Sequence, residues 1–219
     1  MVNIWAIVPA KPWNLAKSRL EPVLNRSQRA ALAMAMLRHV LDVLTASAAL
    51  RGVLVVSRDP RALAEAREYG VQTVLESGAP ELNAALERAA HVTRSLGATS
   101  TLVLPADLPL LTTEDLDTLV SLGCSGERCV VLSPDRHEDG TNALMMCPPG
   151  LIRFAYGPGS FQAHLALARE AGADVHVWRS PRLAQDIDTP EDLALYRALA
   201  EAMGLPVIAP ELLALVPNC

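Results

Sequence analysis

Short apolar runs, each halted by proline, glycine or a polar cluster, alternate along this chain with longer segments of helical periodicity, and this alternation restricts the fold most. Ile4–Val8, Val53–Ser57, Val71–Leu75 and Thr101–Leu104 read as buried strands. Between them, Asn25 with Gln28 three residues later has the spacing of a capping box for a helix to about Ser47. Asp59-Pro60 starts a second helix that Gly70 ends, and a third runs from about Pro80 to Leu96. Further on, the spacing predicts a helix over 113–122, strands at Cys129–Ser133 and Thr141–Met146, a helix over Ser160–Ala171 and a strand at Val175–Trp178. Thr189, Pro190 and Asp192 open a last helix that reaches Met203 before Gly204. Strands alternating with helices imply an α/β fold of three layers, a mostly parallel sheet with helices on both faces. The chain reads as one domain over 1–205, followed by a proline-containing tail over 206–219. The tail's apolar residues, Val207, Ile208, Leu212, Leu213 and Leu215, are expected to pack on the body or on a second copy, which makes a homodimer a candidate assembly.

Composition narrows the partners. With 51% hydrophobic and 20% charged residues in 219, the chain can build a core and is not disordered. A net charge of -5 argues against nonspecific nucleic-acid binding, which needs excess Lys and Arg. Residues 1–8 lack a basic leader and a small-residue cleavage site, and no apolar stretch approaches the ~20 residues that cross a bilayer, so a cytoplasmic protein without membrane contact is expected. Cys124, Cys129, Cys147 and Cys219 include no C-x-x-C pair and read as reduced thiols.

In a sheet of this kind ligands bind beyond the carboxyl ends of the strands. The segment from Pro9 to Leu20 follows the first strand and carries Lys11, Lys17 and Arg19 with no acid. Such a loop suits a polyphosphate, or is a solvated basic surface. It is neither a Walker loop nor a dinucleotide fingerprint. Asp107 lies between Pro105 and Pro109 just after a strand, placed either for a metal-bound ligand or to cap the next turn. Asp186 and Asp188 flank Ile187, so extended backbone would aim both carboxylates to one side, where a hard cation such as Mg²⁺ would relieve their repulsion. Asp188 could equally serve the dipole of the helix after Thr189. Gly157-Pro158-Gly159-Ser160, with serine as N-cap, offers unpaired N–H groups to a phosphate or carboxylate, or is an ordinary helix start. His137 and His164 read as surface or satisfied core histidines.

Taken in order, Val8-Pro9-x-Lys11-Pro12, Ala16-Lys17-Ser18-Arg19-Leu20, Pro105-Ala106-Asp107-Leu108-Pro109, Ser133-Pro134-Asp135-Arg136 with Gly140-Thr141-Asn142-Ala143-Leu144, Gly157-Pro158-Gly159-Ser160 and Asp186-Ile187-Asp188-Thr189-Pro190 resemble the phosphoenolpyruvate and 2-phospho-L-lactate guanylyltransferases of coenzyme F420 biosynthesis. The resemblance covers about residues 1–200 and implies a Rossmann-like fold of the nucleotide-diphospho-sugar transferase type. It implies a reaction in which the phosphate of a small phospho-acid attacks the α-phosphorus of GTP and expels pyrophosphate, with Mg²⁺ as cofactor and no general base. By position, Asp107, Asp186 and Asp188 would hold the metal, and Thr141, Gly157 and Ser160 the acid. Pro9, Lys11, Lys17 and Arg19 would meet the nucleotide, with Lys17, Arg19 and Asp107 at the reacting phosphates. Phosphoenolpyruvate is the favoured acid, with 2-phospho-L-lactate and 3-phosphoglycerate open, and the alternatives are a related transfer of cytidylyl or another nucleotidyl group and a non-catalytic nucleotide-binding module, which could lack the three acids this chain has. The family often has glycines where this chain has Glu138 and Asp139, acids that would narrow the anion pocket or face solvent.

Overall fold

A computed structural model describes residues 3–78, 81–123 and 126–214. Along the chain it places β1 (Ile4–Ala10), α1 (Arg26–Ala46), β2 (Gly52–Ser57), α2 (Pro60–Glu68), β3 (Gln72–Leu75), α3 (Leu82–Ser95), β4 (Ser100–Val103) and α4 (Thr113–Gly123). There follow β5 (Cys129–Pro134), β6 (Thr141–Cys147), α5 (Ser160–Glu170), β7 (Asp174–Val177), α6 (Pro190–Met203) and the one-turn α7 (Pro210–Leu213). Asn25 and Gln28 form the expected capping box, as do Thr189 and Asp192, and Asp59 caps α2. Gly70 and Gly204 end their helices at φ of +69° and +65°, conformations that cost glycine little. Glu81, one residue beyond the expected Pro80, caps α3 by accepting from the N–H groups of Asn83 and Ala84, while Pro80 itself lies outside the described residues.

One seven-stranded sheet runs β3-β2-β1-β4-β6-β5-β7. Only β6 is antiparallel to its neighbours, because a turn joins it directly to β5, whereas the parallel neighbours need crossovers. Burial on both faces explains why β1 is apolar throughout. Ile4, Ala6, Val8 and Ala10 pack toward Leu37, Val40, Leu41 and Leu44 of α1 and Leu116 and Leu119 of α4. Trp5 and Ile7, on the other face, meet Ala85, Leu86 and Ala89 of α3 and Phe161 and Ala168 of α5.

A third apolar cluster brings the polar loops together. Leu20, Leu110 and Ile187 are each at most 1% exposed and share it with Leu32 and Met36 of α1 and Leu193 and Tyr196 of α6. Each of three loops is thereby anchored by one apolar side chain, a few residues from Lys17, Asp107 and the Asp186–Asp188 pair. Val207, Ile208, Leu212 and Leu213 of the tail pack on the same cluster, and Tyr196 Oη accepts from Ile208 N–H at 2.6 Å. Leu215 and Cys219 lie outside the described residues, as does Cys124; Cys129 is a buried and Cys147 a half-buried thiol. No helix among the described residues is long and apolar enough to cross a membrane.

Candidate active site

Strands β1 and β4 lie side by side, and from them the chain departs toward opposite edges of the sheet, so the loops at their carboxyl ends flank a topological switch point. Lys17 enters this place in the left-handed region, φ 55° and ψ 38°, at the start of a short turn over Ser18–Leu20. Its stem is buried, and its Nζ lies 2.5 Å from Asp107 Oδ2 and 3.1 Å from Asp188 Oδ1. Burial works against the Lys17 charge, but the two carboxylates outweigh it and hold the ammonium above its usual pKa. Arg19, largely exposed, reaches Asp188 Oδ2 at 3.6 Å from the rim. For Asp188, burial raises the pKa, yet Lys17 first, then Lys11 and Arg19, bring it below the ordinary carboxylate range. Lys11 is thus part of the same field. Pro9 lies within β1, opposite Val56 of β2, one residue short of the strand's end.

Asp186 behaves differently from Asp188. Burial, with the charges of Asp107 and Asp188 added, pushes it up to about 6, and only an Asn142 amide at 3.3 Å and the more distant Lys17 oppose this. Among the described residues no cation pairs with it directly. Asn142 Nδ2 also donates to Leu183 O at 2.9 Å, so this amide pins the 183–186 segment to β6. Asp192 Oδ2 accepts from the N–H groups of Asp188 and Thr189, and Arg136 holds the other oxygen at 2.5 Å. The helix cap of α6 therefore also sets the backbone of the acidic pair. Asn142, Asp192 and Arg136 were not among the sequence-predicted site residues; Asp192 was legible only as a cap, and nothing local in the sequence pairs Asn142 with Asp186.

These carboxylates suit a hard cation held in part by phosphates. Among the described residues no three carboxylate, imidazole or thiolate groups stand together as a set that could hold a metal ion by themselves. Mg²⁺, however, commonly takes one or two protein carboxylates and completes its shell with water and substrate phosphates. The repulsion that Asp107 and Asp188 exert on Asp186 is the negative potential such an ion would relieve.

Thr141 opens β6 next to Asn142, where the pairing with β5 shifts register, Ser133 facing Ala143 and Pro134 facing Thr141, and the two side chains take different partners. Thr141 Oγ1 meets Ser160 Oγ at 3.3 Å and His164 Nδ1 at 3.0 Å, all three being buried. Ser160 is not the N-cap expected from the sequence: Gly159, at φ 70°, caps α5, and Ser160 is the first helical residue. The start of α5 also offers fewer open donors than expected. Gly159 N–H donates to Asp139 Oδ1, Ser160 N–H to Gly157 O and Phe161 N–H to Asp139 O. An anion here would meet hydroxyls more than main-chain N–H groups. Gly157, at φ 143°, turns the chain where a side chain would be strained. The two acids that depart from the family pattern are also placed. Glu138 pairs with exposed Arg179 at 2.7 Å, and Asp139 ties down the start of α5.

Residues 4–196 match the family described as Guanylyl transferase CofC like. A phosphoenolpyruvate guanylyltransferase from Rubrobacter xylanophilus is 45% identical over 197 residues, 90% of this chain and 95% of the relative. One from Conexibacter woesei is 39% identical over 198 residues, 90% of this chain and 89% of the relative. Among solved structures, a Desulfovibrio desulfuricans protein assigned as a nucleotide-diphospho-sugar transferase aligns with a TM-score of 0.77 at 15% identity, over 98% of this chain and 94% of that one. A 4-diphosphocytidyl-2C-methyl-D-erythritol synthase aligns with 0.61 at 17%, over 91% of this chain and 98% of that one, and both likenesses speak to the fold alone. With the family match spanning residues 4–196 and relatives 39–45% identical over about nine-tenths of its length, the chain belongs to the CofC-like guanylyl transferase family.

Proposed function

We propose that this protein transfers the guanylyl group of GTP to the phosphate of phosphoenolpyruvate, releasing pyrophosphate, as its relatives' name describes. One observation carries the reading. Asp186, buried and pushed up by Asp107 and Asp188, is suited to a cation, and the strand that holds it through Asn142 opens on Thr141, which with Ser160 forms a buried hydroxyl pair suited to an anion. Anion pocket and acidic cluster are compatible when a cation stands between them. Asp107, Asp186 and Asp188 would hold Mg²⁺, which when bound neutralises phosphate charge and polarises the phosphorus under attack. Lys11 and Arg19 neutralise the triphosphate from the rim, while Lys17 holds the Asp107 and Asp188 carboxylates in place and adds positive charge beside them. Thr141, Ser160 and Gly157 hold the acid so that its phosphate faces the α-phosphorus. The acid's phosphate is already anionic at neutral pH, so the step needs charge neutralisation and alignment, and no side chain is required as a base.

Pyrophosphate release measured for four nucleoside triphosphates, each with phosphoenolpyruvate, 2-phospho-L-lactate or 3-phosphoglycerate, tests this directly. The expected result is release with GTP and phosphoenolpyruvate that depends on a divalent cation. Equal release from GTP alone, or a preference for CTP, would sink the reading.

A further inference from the structure

The anion pocket contains a group that the reaction does not use. His164 lies one turn along α5 from Ser160, on the same helical face, and its ring is fully buried, edge-on to Tyr156 with centroids 4.8 Å apart. Its Nε2 is 2.9 Å from the main-chain nitrogen of Ala155. A main-chain N–H can only donate, so Nε2 must accept, and the hydrogen of the neutral ring then sits on Nδ1. Nδ1 is 3.0 Å from Thr141 Oγ1, which therefore receives that hydrogen.

Counting hydrogens in the trio gives the consequence. Nδ1–H and the hydroxyls of Thr141 and Ser160 supply three hydrogens, but the contacts among them use only two. One hydroxyl hydrogen is left to point out of the trio, at whatever enters the pocket. With the opposite tautomer, Nδ1 would take the Thr141 hydrogen and the trio would turn a lone pair outward, against an anion. The groups that face the ring favour the neutral form. Burial first, and then the charge of Arg153, push His164 down to about 4, while burial raises the Tyr156 phenol well above its usual value and keeps it uncharged. The N–H that sets the tautomer is itself held in place. Asn83 of α3 grips the next residue, accepting from Tyr156 N–H at 2.7 Å and donating to Tyr156 O at 3.1 Å.

We infer that His164 is a positioning residue whose Nδ1–H tautomer, imposed by the Ala155 N–H, makes the Thr141–Ser160 pair a hydroxyl donor toward an anionic oxygen of the acceptor acid. This rests on the assignment of Thr141 and Ser160 to the acid. Two variants and one spectrum separate the parts. In His164→Asn the side-chain amide can stand where Nδ1 stood and still donate to Thr141; in His164→Asp a carboxylate stands there instead, takes the Thr141 hydrogen and leaves the pair none to turn outward. His164→Asp should raise the KM for phosphoenolpyruvate roughly ten- to a hundredfold, the loss of one charge-assisted hydrogen bond, with kcat and the GTP KM within about twofold of the parent. His164→Asn should recover most of that loss. Nitrogen-15 spectra of the wild-type ring should show a protonated Nδ1 and an unprotonated Nε2 at pH 7. Equal losses in both variants, an Nε2–H tautomer, or a ring protonated at pH 7 would overturn the inference while leaving the assignment of substrate intact. A wild-type protein that turns over none of the three phospho-acids, with GTP or any other nucleoside triphosphate, would overturn both.

Discussion

Where β1 and β4 end, the protein gathers full charges, Lys17 between Asp107 and Asp188 with Asp186 beside them; where β6 begins, it gathers only neutral groups, Thr141, Ser160 and His164. The charged cluster is internally unbalanced. Asp186 is pushed up to about 6 by burial and by its fellow carboxylates, an excess of negative charge that the proposed cation would offset. The neutral cluster is nearly complete without a ligand, since each ring nitrogen has a partner and only one hydroxyl hydrogen is left over. On the proposed reading, a charged ligand and its counter-ion would arrive together at the first and balance it. At the second, on the same reading, a rigid array of dipoles would cost no reorganisation when the anion enters.

The contrast can be broken most severely at Asp186. Asp186→Asn should lower turnover by about a hundredfold or more, the scale of losing one essential electrostatic partner of the reacting group. Its effect on stability should have the opposite sign. The folded-state pKa of about 6 lies above the unfolded value, so ionised Asp186 destabilises the fold above pH 6, and the penalty vanishes as pH falls through the window from about 6 to 4. Without divalent cations the variant should therefore melt higher than the parent at pH 7, by about 2 kcal/mol or less, and equally at pH 4. Thermal melts at the two pH values check the sign; a variant less stable at pH 7 would mean that Asp186 is structural.

Lys17→Met tests whether the ammonium is what holds the acidic side together. Both carboxylates it pairs with keep part of their exposure, so the expected loss is about 1–2 kcal/mol, smaller than for a fully buried pair. Mg²⁺ alone should raise the melting temperature of this variant more than that of the parent, because it would then meet carboxylates without their counter-charge. Equal shifts would show that Lys17 does not compete for them.

The smallest effect is expected at Glu138, which sits at φ 54° and pairs with exposed Arg179. Replacing it with glycine relieves the left-handed backbone but frees the unfolded chain and removes a surface ion pair, so Glu138→Gly should change stability by less than about 1 kcal/mol. The KM for phosphoenolpyruvate should not move. A large change would bring the 138–139 turn into the pocket, where the geometry gives it only a scaffolding part.

Much of this molecule was legible residue by residue. The α/β class, the capping boxes at Asn25 and Thr189, and the glycines ending α2 and α6 rest on contacts within a few residues, and local chemistry suffices to read them. The mostly parallel order followed from alternation, whereas the antiparallel course of β6, which the short turn from β5 imposes, emerged only in the structure. The sequence also marked which loops carry charge. It could not say what those charges would touch. Lys17 meets carboxylates 90 and 171 residues away, and Asn142 meets Asp186 across 44. Such pairs exist only because Leu20, Leu110 and Ile187 are buried in one apolar cluster that draws three loops together. The same holds for the start of α5, where the motif suggested open N–H groups and a serine cap, and Asp139, from a turn 20 residues earlier, took the Gly159 N–H for itself. Local propensity determined the elements and their ends; hydrophobic burial between distant segments decided which polar atoms found one another, and with them the charge and donor pattern of the cleft.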